Sequence, residues 1–249
     1  MALAGASGGL AAHAAGLDDP DILFALDRKG QQIGTHGLRF SRLDDGRLRV
    51  DIAIDIKVKV AFITLFRYEH RAMEVWDWQG RRLDYFWSET DDNGRAFRVE
   101  GARDAEGFAW RNQDGQTWRR DDALMTTYWH PKTLRHRPWI NSQKGPPLEI
   151  AMAPGEDAAI TAPTGEIWRG QRHAVTGGVR VNLIYDPGGC LIGLDFTPPK
   201  NDVPIVYRML GYFDPSDARR LAGQPQLAPC LERAGDMAGN TDDMTGEQP

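Results

Sequence analysis

The sequence predicts an all-β protein, a strongly curled antiparallel sheet or open β-barrel with one short helical lid. Three observations carry this. From Leu48 to Val60 the chain alternates without error: Leu48, Val50, Ile52, Ile54, Ile56, Val58 and Val60 fall on one side, and Arg49, Asp51, Ala53, Asp55, Lys57 and Lys59 on the other. Successive strand side chains point to opposite faces, so this is one strand, apolar inside and wet outside. At ~3.3 Å per residue it runs roughly 40 Å, about twice the usual strand. Residues 66–78 repeat the pattern, with Phe66, Tyr68, His70, Ala72, Glu74, Trp76 and Trp78 on one face. Strong turn signals then divide most of the remaining chain into hairpins.

Taken in order, residues 22–27 form a strand that Arg28-Lys29-Gly30-Gln31 turns back into 32–41. Gly34 and Gly37 inside that second strand mark a bulge, a bend or a close approach. Asp44-Asp45-Gly46 leads into the long strand, and Gln79-Gly80 closes the 66–78 strand. Residues 83–90 and 95–100 flank Asp91-Asp92-Asn93-Gly94, a hairpin turn. Shorter strands follow around Phe108-Ala109-Trp110 and Trp118.

Between 121 and 147 the period is lost. Residues 121–130 read as a short helix, with Asp121 and Asp122 at its positive N-terminal end and Pro131 stopping or kinking it. Residues 132–139 are basic and without period, so this whole segment reads as a lid or connector crossing the sheet. Strands resume at 148–153, 167–176, 179–185, 191–197 and 203–209. Asp214-Pro215 opens a short helix to residue 222, and from residue 223 the composition predicts disorder. The organisation is therefore a leader over 1–20, a barrel-like domain over 21–210 with its lid at 121–147, and a helix and tail over 211–249.

Composition narrows the function classes. At 249 residues and 41% apolar content the chain can bury one good core. A net charge of −5, with Lys and Arg interspersed among acids, argues against a nucleic-acid partner. No stretch reaches the ~18 apolar residues of a membrane span, which leaves peripheral contact open. Eight Trp, six Tyr and nine Phe predict an aromatic-lined interior or groove, or simply a packed core.

Cys190 and Cys230 are compatible with one disulfide in an oxidising compartment, and equally with two free thiols. Residues 1–16 are small and uncharged, with Ala12-His13-Ala14 in the small-x-small pattern of a cleavage site. Residues 2–7 resemble the stretch that follows the twin arginines of an export signal. The expectation is a periplasmic protein whose basic signal start lies before Met1; a plain flexible leader is the alternative.

Several motifs stand in a characteristic order over residues 21–210: Ile33-Gly34-Thr35-His36, Phe66-Arg67-Tyr68-Glu69-His70, Glu74 with Trp76, Thr127-Tyr128-Trp129-His130-Pro131, Gln143-Lys144-Gly145 and Ile205-Val206-Tyr207-Arg208. In these the chain resembles a bacterial family of exported proteins known only as a domain of unknown function. In architecture it is also remotely similar to the periplasmic lipoprotein carriers, whose unclosed antiparallel barrel is plugged by helices and holds acyl chains. The resemblance implies an exported β-rich domain, and neither family supplies catalytic residues to carry over.

The candidate site lies on the inward face of 66–78. His70 and Glu74 are the catalytic candidates, an acid and base inside an apolar cavity. Four residues apart on a strand they lie ~13 Å from each other, so each must work through groups on neighbouring elements. The ligand-binding candidates are Tyr68, His70, Glu74 and Trp76 from this strand and Tyr128, Trp129 and His130 from the lid. The bland alternative is a set of polar groups satisfied by cross-strand partners. Arg135-His136-Arg137 reads as an anion-binding turn or a solvated one.

No metal site is predicted, because the six histidines are dispersed. No cofactor is predicted either: Cys190 has no adjacent base, and the glycine pairs Gly177-Gly178 and Gly188-Gly189 sit in hairpin turns. The function expected is an exported binding protein or carrier for a lipophilic small molecule or lipid. The alternatives are a cofactor-independent enzyme acting on a hydrophobic substrate and an envelope assembly protein. In either ligand-holding case the aliphatic face of Leu48–Val60 lines the apolar end and the 66–78 strand supplies the polar contacts.

Overall fold

The computed structural model describes residues 17, 20–60, 63–77, 82–135, 138–162, 165–198 and 202–211. The leader, the expected 214–222 helix, the tail, Cys230 and the pair His136-Arg137 lie outside the described residues.

The chain forms β1 (Ile22–Arg28), β2 (Gln31–Arg42), β3 (Leu48–Val60), β4 (Ile63–Asp77), β5 (Arg82–Asp92), β6 (Arg95–Asp104), β7 (Gly107–Asn112) and β8 (Thr117–Arg120). After the lid come β9 (Trp139–Ile140), β10 (Pro147–Leu148), β11 (Ile150–Met152), β12 (Glu156–Thr161), β13 (Ile167–Gly177), β14 (Val181–Tyr185), β15 (Leu191–Phe196) and β16 (Ile205–Gly211). One antiparallel sheet holds fourteen of these in the order β11-β13-β14-β15-β16-β1-β2-β3-β4-β5-β6-β7-β8, with β12 also on β13. The path joins β1 to β16 and ends at β8 and β11, so among the described residues the barrel is not closed by a ladder. This is the curled, open antiparallel architecture that the alternating strands predict. Two strands were not expected: the two-residue β9, inside the segment read as a connector, and β12, where Glu156-Asp157-Ala158-Ala159 offers little apolar signal to an edge.

Register places the inward side chains in rows. One row runs Phe24–His36–Ile54–His70–Thr90 across β1 to β5. The next row toward the β3–β4 hairpin is Leu26–Gly34–Ile56–Tyr68–Asp92. Away from it lie Leu38–Ile52–Ala72–Ser88 and then Phe40–Val50–Glu74–Phe86. Gly34 is the close approach that its position suggests: a Cβ there would lie 2.0 Å from the Asp55 carbonyl oxygen. The outer face is charged and paired, as in Arg71 with Asp55 at 2.7 Å and Arg49 with Asp51 at 2.7 Å.

The lid differs from the expectation in form and place. Residues 121–130 are not helical; Pro131 opens, rather than ends, a one-turn 3-10 helix over Pro131–Leu134. A proline suits the first turn of a helix because its missing N–H would have no partner there. His130 caps this turn, its ring Nδ1 accepting from the Lys132 N–H at 3.0 Å. The segment is a buried plug more than a cover. Leu124, Met125, Trp129, Trp139 and Ile140 are all buried in the core. It is tied to the wall at several points. Ser88 Oγ donates to the Ser142 carbonyl at 2.6 Å, Trp110 Nε1 donates to the Gly145 carbonyl at 2.8 Å, and the Tyr185 hydroxyl donates to the Tyr128 carbonyl.

A candidate ligand cavity

The plug fills one end of the barrel and leaves the other open. A cavity of about 880 Å³ remains. One wall is the mouthward half of β3 and β4: Ile52, Ile54, Ile56, Val58 and Phe66. The opposite wall is Val179, Val181, Leu194, Phe196 and Ile205. Arg28 and Arg180 contribute at the mouth, beside Leu65, which is 57% exposed, and Asp92 lines the cavity in the row of Tyr68. The polar lining is concentrated deeper, on His36, Tyr68, His70 and Tyr207 from the sheet and on Thr127, Tyr128 and Gln143 from the plug.

His70 is 2% exposed, and its Nδ1 lies 2.8 Å from the Thr90 hydroxyl. Its ring stacks on Tyr68 with centroids 6.3 Å apart. Burial, with the nearby Arg71 guanidinium, holds the imidazole down to about 4, so it is neutral at physiological pH. Burial also pushes the Tyr68, Tyr128 and Tyr207 phenols above their ordinary range, and they stay protonated. Tyr128 holds φ at +64°, a left-handed conformation that is costly for a bulky aromatic. Its ring meets Trp139 at 5.6 Å while it lines the cavity.

Of the residues singled out from sequence, Tyr68, His70 and Tyr128 line this cavity. Glu74, Trp76, Trp129 and His130 do not; they pack at the plugged end. Glu74 is fully buried and accepts three hydrogen bonds: Thr127 Oγ1 at 2.6 Å, Trp76 Nε1 at 2.7 Å and Trp129 Nε1 at 3.0 Å. Trp76 stacks on His130 at 4.3 Å and meets Trp129 edge-on at 5.8 Å. His70 and Glu74 therefore form no acid–base pair: one is bonded to Thr90, the other to the plug. The reason is depth. Alternation tells which face a side chain takes, but not how far along the barrel the plug reaches.

His36 and Tyr207 are the residues that sequence reasoning passed over. Even positions of β2 place His36 on the same face as Leu38 and Phe40, and that alternation was the available signal. Buried at 3% exposure, His36 sits edge-on to Tyr207 at 5.6 Å and is held down to about 3 by burial and by the neighbouring His70. Among the described residues no group of three or more His, Cys, Asp or Glu is arranged to hold a metal ion.

A family model described as a domain of unknown function, DUF6134, matches residues 24–208. The chain belongs to the DUF6134 family. The match spans nearly all of the region whose motifs carried the family resemblance, and it takes in the whole cavity lining from Arg28 to Tyr207. One solved structure similar to this DUF6134 chain is described as a beta-barrel-like protein of the domain of unknown function DUF1849 from Brucella abortus. The two are 8% identical with a TM-score of 0.49, over 76% of this chain and 95% of that one. No curated protein matches the chain.

Proposed function

We propose that this protein is an exported binding protein or carrier that holds a lipophilic small molecule or lipid inside the open end of its barrel. One observation carries the reading: the cavity of about 880 Å³ has walls of aliphatic and aromatic side chains, with its uncharged polar groups gathered at depth. That volume and lining are those of a small-molecule pocket, in which apolar walls supply affinity and a few polar groups fix orientation. Because the opposite end is packed solid, a ligand enters and leaves past Arg28, Leu65 and Arg180. Leu65, with Lys57 and Lys59 exposed nearby, is the part of the mouth that would touch a lipid surface.

Export is supported by Cys190, which is disulfide-bonded, a state that persists in oxidising compartments. An enzyme working through His70 and Glu74 is not supported, because Glu74 is spent on the plug. Among the described residues, an assembly role through sheet edges has short edges to use: the four residues of β8, three of β11 and six of β12. Native mass spectrometry of gently purified full-length protein tests the carrier reading. The expected spectrum shows a co-purified mass that organic extraction removes. A protein that arrives ligand-free and binds no lipophile on incubation with a membrane lipid extract overturns it.

A further inference from the structure

The cavity is graded along its length in a way that bears on the ligand's head group. The walls nearest the mouth, Val58, Phe66, Phe196 and Ile205, are apolar. Deeper in stand the row of Tyr68 and then the row of His36 and His70, with Tyr128 and Gln143 facing them from the plug. An apolar tail at that depth would cover hydrogen-bonding groups and give them nothing in return. His70 Nδ1 is committed to Thr90, which leaves Nε2 as the ring nitrogen for a ligand. Both ring nitrogens of His36 are buried without a hydrogen-bond partner among the described residues, a condition native interiors seldom leave unanswered.

No ionised group stands in the row of His36 and His70: the lining cations, Arg28 and Arg180, are at the mouth, and Asp92, one row mouthward beside Tyr68, accepts from Gln143 Nε2 at 3.4 Å and pairs with Arg95 at 3.7 Å. The Arg71 guanidinium next to His70 is turned outward, to Asp55 at 2.7 Å and to the Ile54 and His70 carbonyls. Glu74 lies two rows further in, capped by Thr127, and offers an anion only repulsion. An ionised head group beside His36 and His70 would lose its hydration with no countercharge in that row to replace it.

On the reading of the cavity as a lipophile site, we infer that its ligand enters head first and carries an uncharged oxygen head, a hydroxyl or carbonyl, received by His70 and His36. The imidazoles are suited to this because a neutral ring offers one donor and one acceptor, and a hydroxyl answers either. The apolar body of the ligand then lies along Ile54, Ile56 and Val58 toward the mouth.

The test compares hexadecanol, hexadecanoate and hexadecyltrimethylammonium at neutral pH, each competing with N-phenyl-1-naphthylamine on the full-length wild-type protein. Hexadecanol is expected to bind about tenfold tighter than either ion, the scale of one hydrogen bond and an uncompensated charge in a dry site. His70→Leu is expected to remove that preference, hexadecanol then competing no better than either ion. Equal binding of the three, or tighter binding of hexadecanoate, overturns the inference and places the head group at the mouth with Arg28 and Arg180. If neither the naphthylamine nor any of the three binds, the carrier reading itself falls, and the inference with it.

Discussion

Thr127 donates its hydroxyl to the Glu74 carboxylate across 2.6 Å, and this bond ties the plug to the middle of the sheet. Trp129, two residues along the plug, and Trp76, two residues along β4, turn their indole N–H groups onto the same carboxylate at 3.0 and 2.7 Å. One side chain thus collects three donors from two elements and marks the boundary between the filled and the open halves of the barrel. Beside it in its own row lie Phe40 and Val50, and beyond them Leu48 and Trp76, all essentially without exposure; on the other side lies the cavity.

Glu74→Leu leaves three buried donors without an acceptor and is expected to cost about 3 kcal/mol or more in urea denaturation. Glu74→Gln keeps an oxygen for the indoles and an amide that can donate to Thr127, so it is expected to fold with little loss. The two differ in pH dependence from wild type. Burial raises the Glu74 carboxyl above its ordinary value in spite of its three donors. Between the ordinary carboxylate value and the raised one, the native protein holds a proton that the unfolded chain has released, so wild-type stability falls as pH rises through that window. In Glu74→Gln this fall disappears.

The histidines predict the opposite slope in acid. His36 and His70 are held down to about 3 and about 4, against an ordinary imidazole value near 6.5. Below about pH 6.5 the unfolded chain takes up protons that the native protein refuses, so stability is full at neutral pH and is lost as pH falls toward these values. At about pH 5 each imidazole is expected to remove about 2 kcal/mol. Denaturation midpoints measured from neutral pH to pH 5 check this, and His36→Leu should lose close to half of the slope.

Added bulk separates the two halves of the barrel along a single strand. Val50→Phe, in the packed half, is expected to cost about 1–3 kcal/mol by overpacking. Ile54→Phe, four residues on and facing open space, is expected to leave the thermal midpoint nearly unchanged and to weaken ligand binding. Equal losses at the two positions would mean that the cavity is not open in solution.

Gly34→Ala is expected to be the most damaging small substitution in β2. The new methyl meets backbone, the Asp55 carbonyl, and backbone cannot step aside as a flexible side chain can. A loss of several kcal/mol in thermal denaturation is the expected outcome.

Much of this architecture was legible in the residues. The alternation of Leu48–Val60 set the bounds of β3 and its inward face, and Asn93-Gly94 set the turn that joins β5 to β6. The same period put Tyr68, His70 and Glu74 on one face of β4. Local pattern could not show that the plug reaches Glu74 and stops short of His70, because this depends on contacts such as Thr127–Glu74 between residues fifty-three positions apart. The expected division of labour, with β3 greasy and β4 polar, is also redrawn: each strand is core at one end and cavity wall at the other. Pro131 misled for a different reason, since a proline ends one helix as readily as it starts the next.

A fluorescence titration with N-phenyl-1-naphthylamine shows whether the mouthward half of the barrel is an accessible lipophile site. The wild-type protein, stripped of bound material, is expected to give saturable binding with one probe per chain, and Ile54→Trp combined with Val58→Trp is expected to abolish it while the protein stays folded by circular dichroism. Probe binding that is absent in wild type, or that persists unchanged in the folded double variant, would mean that the mouthward half of the barrel is not a lipophile site.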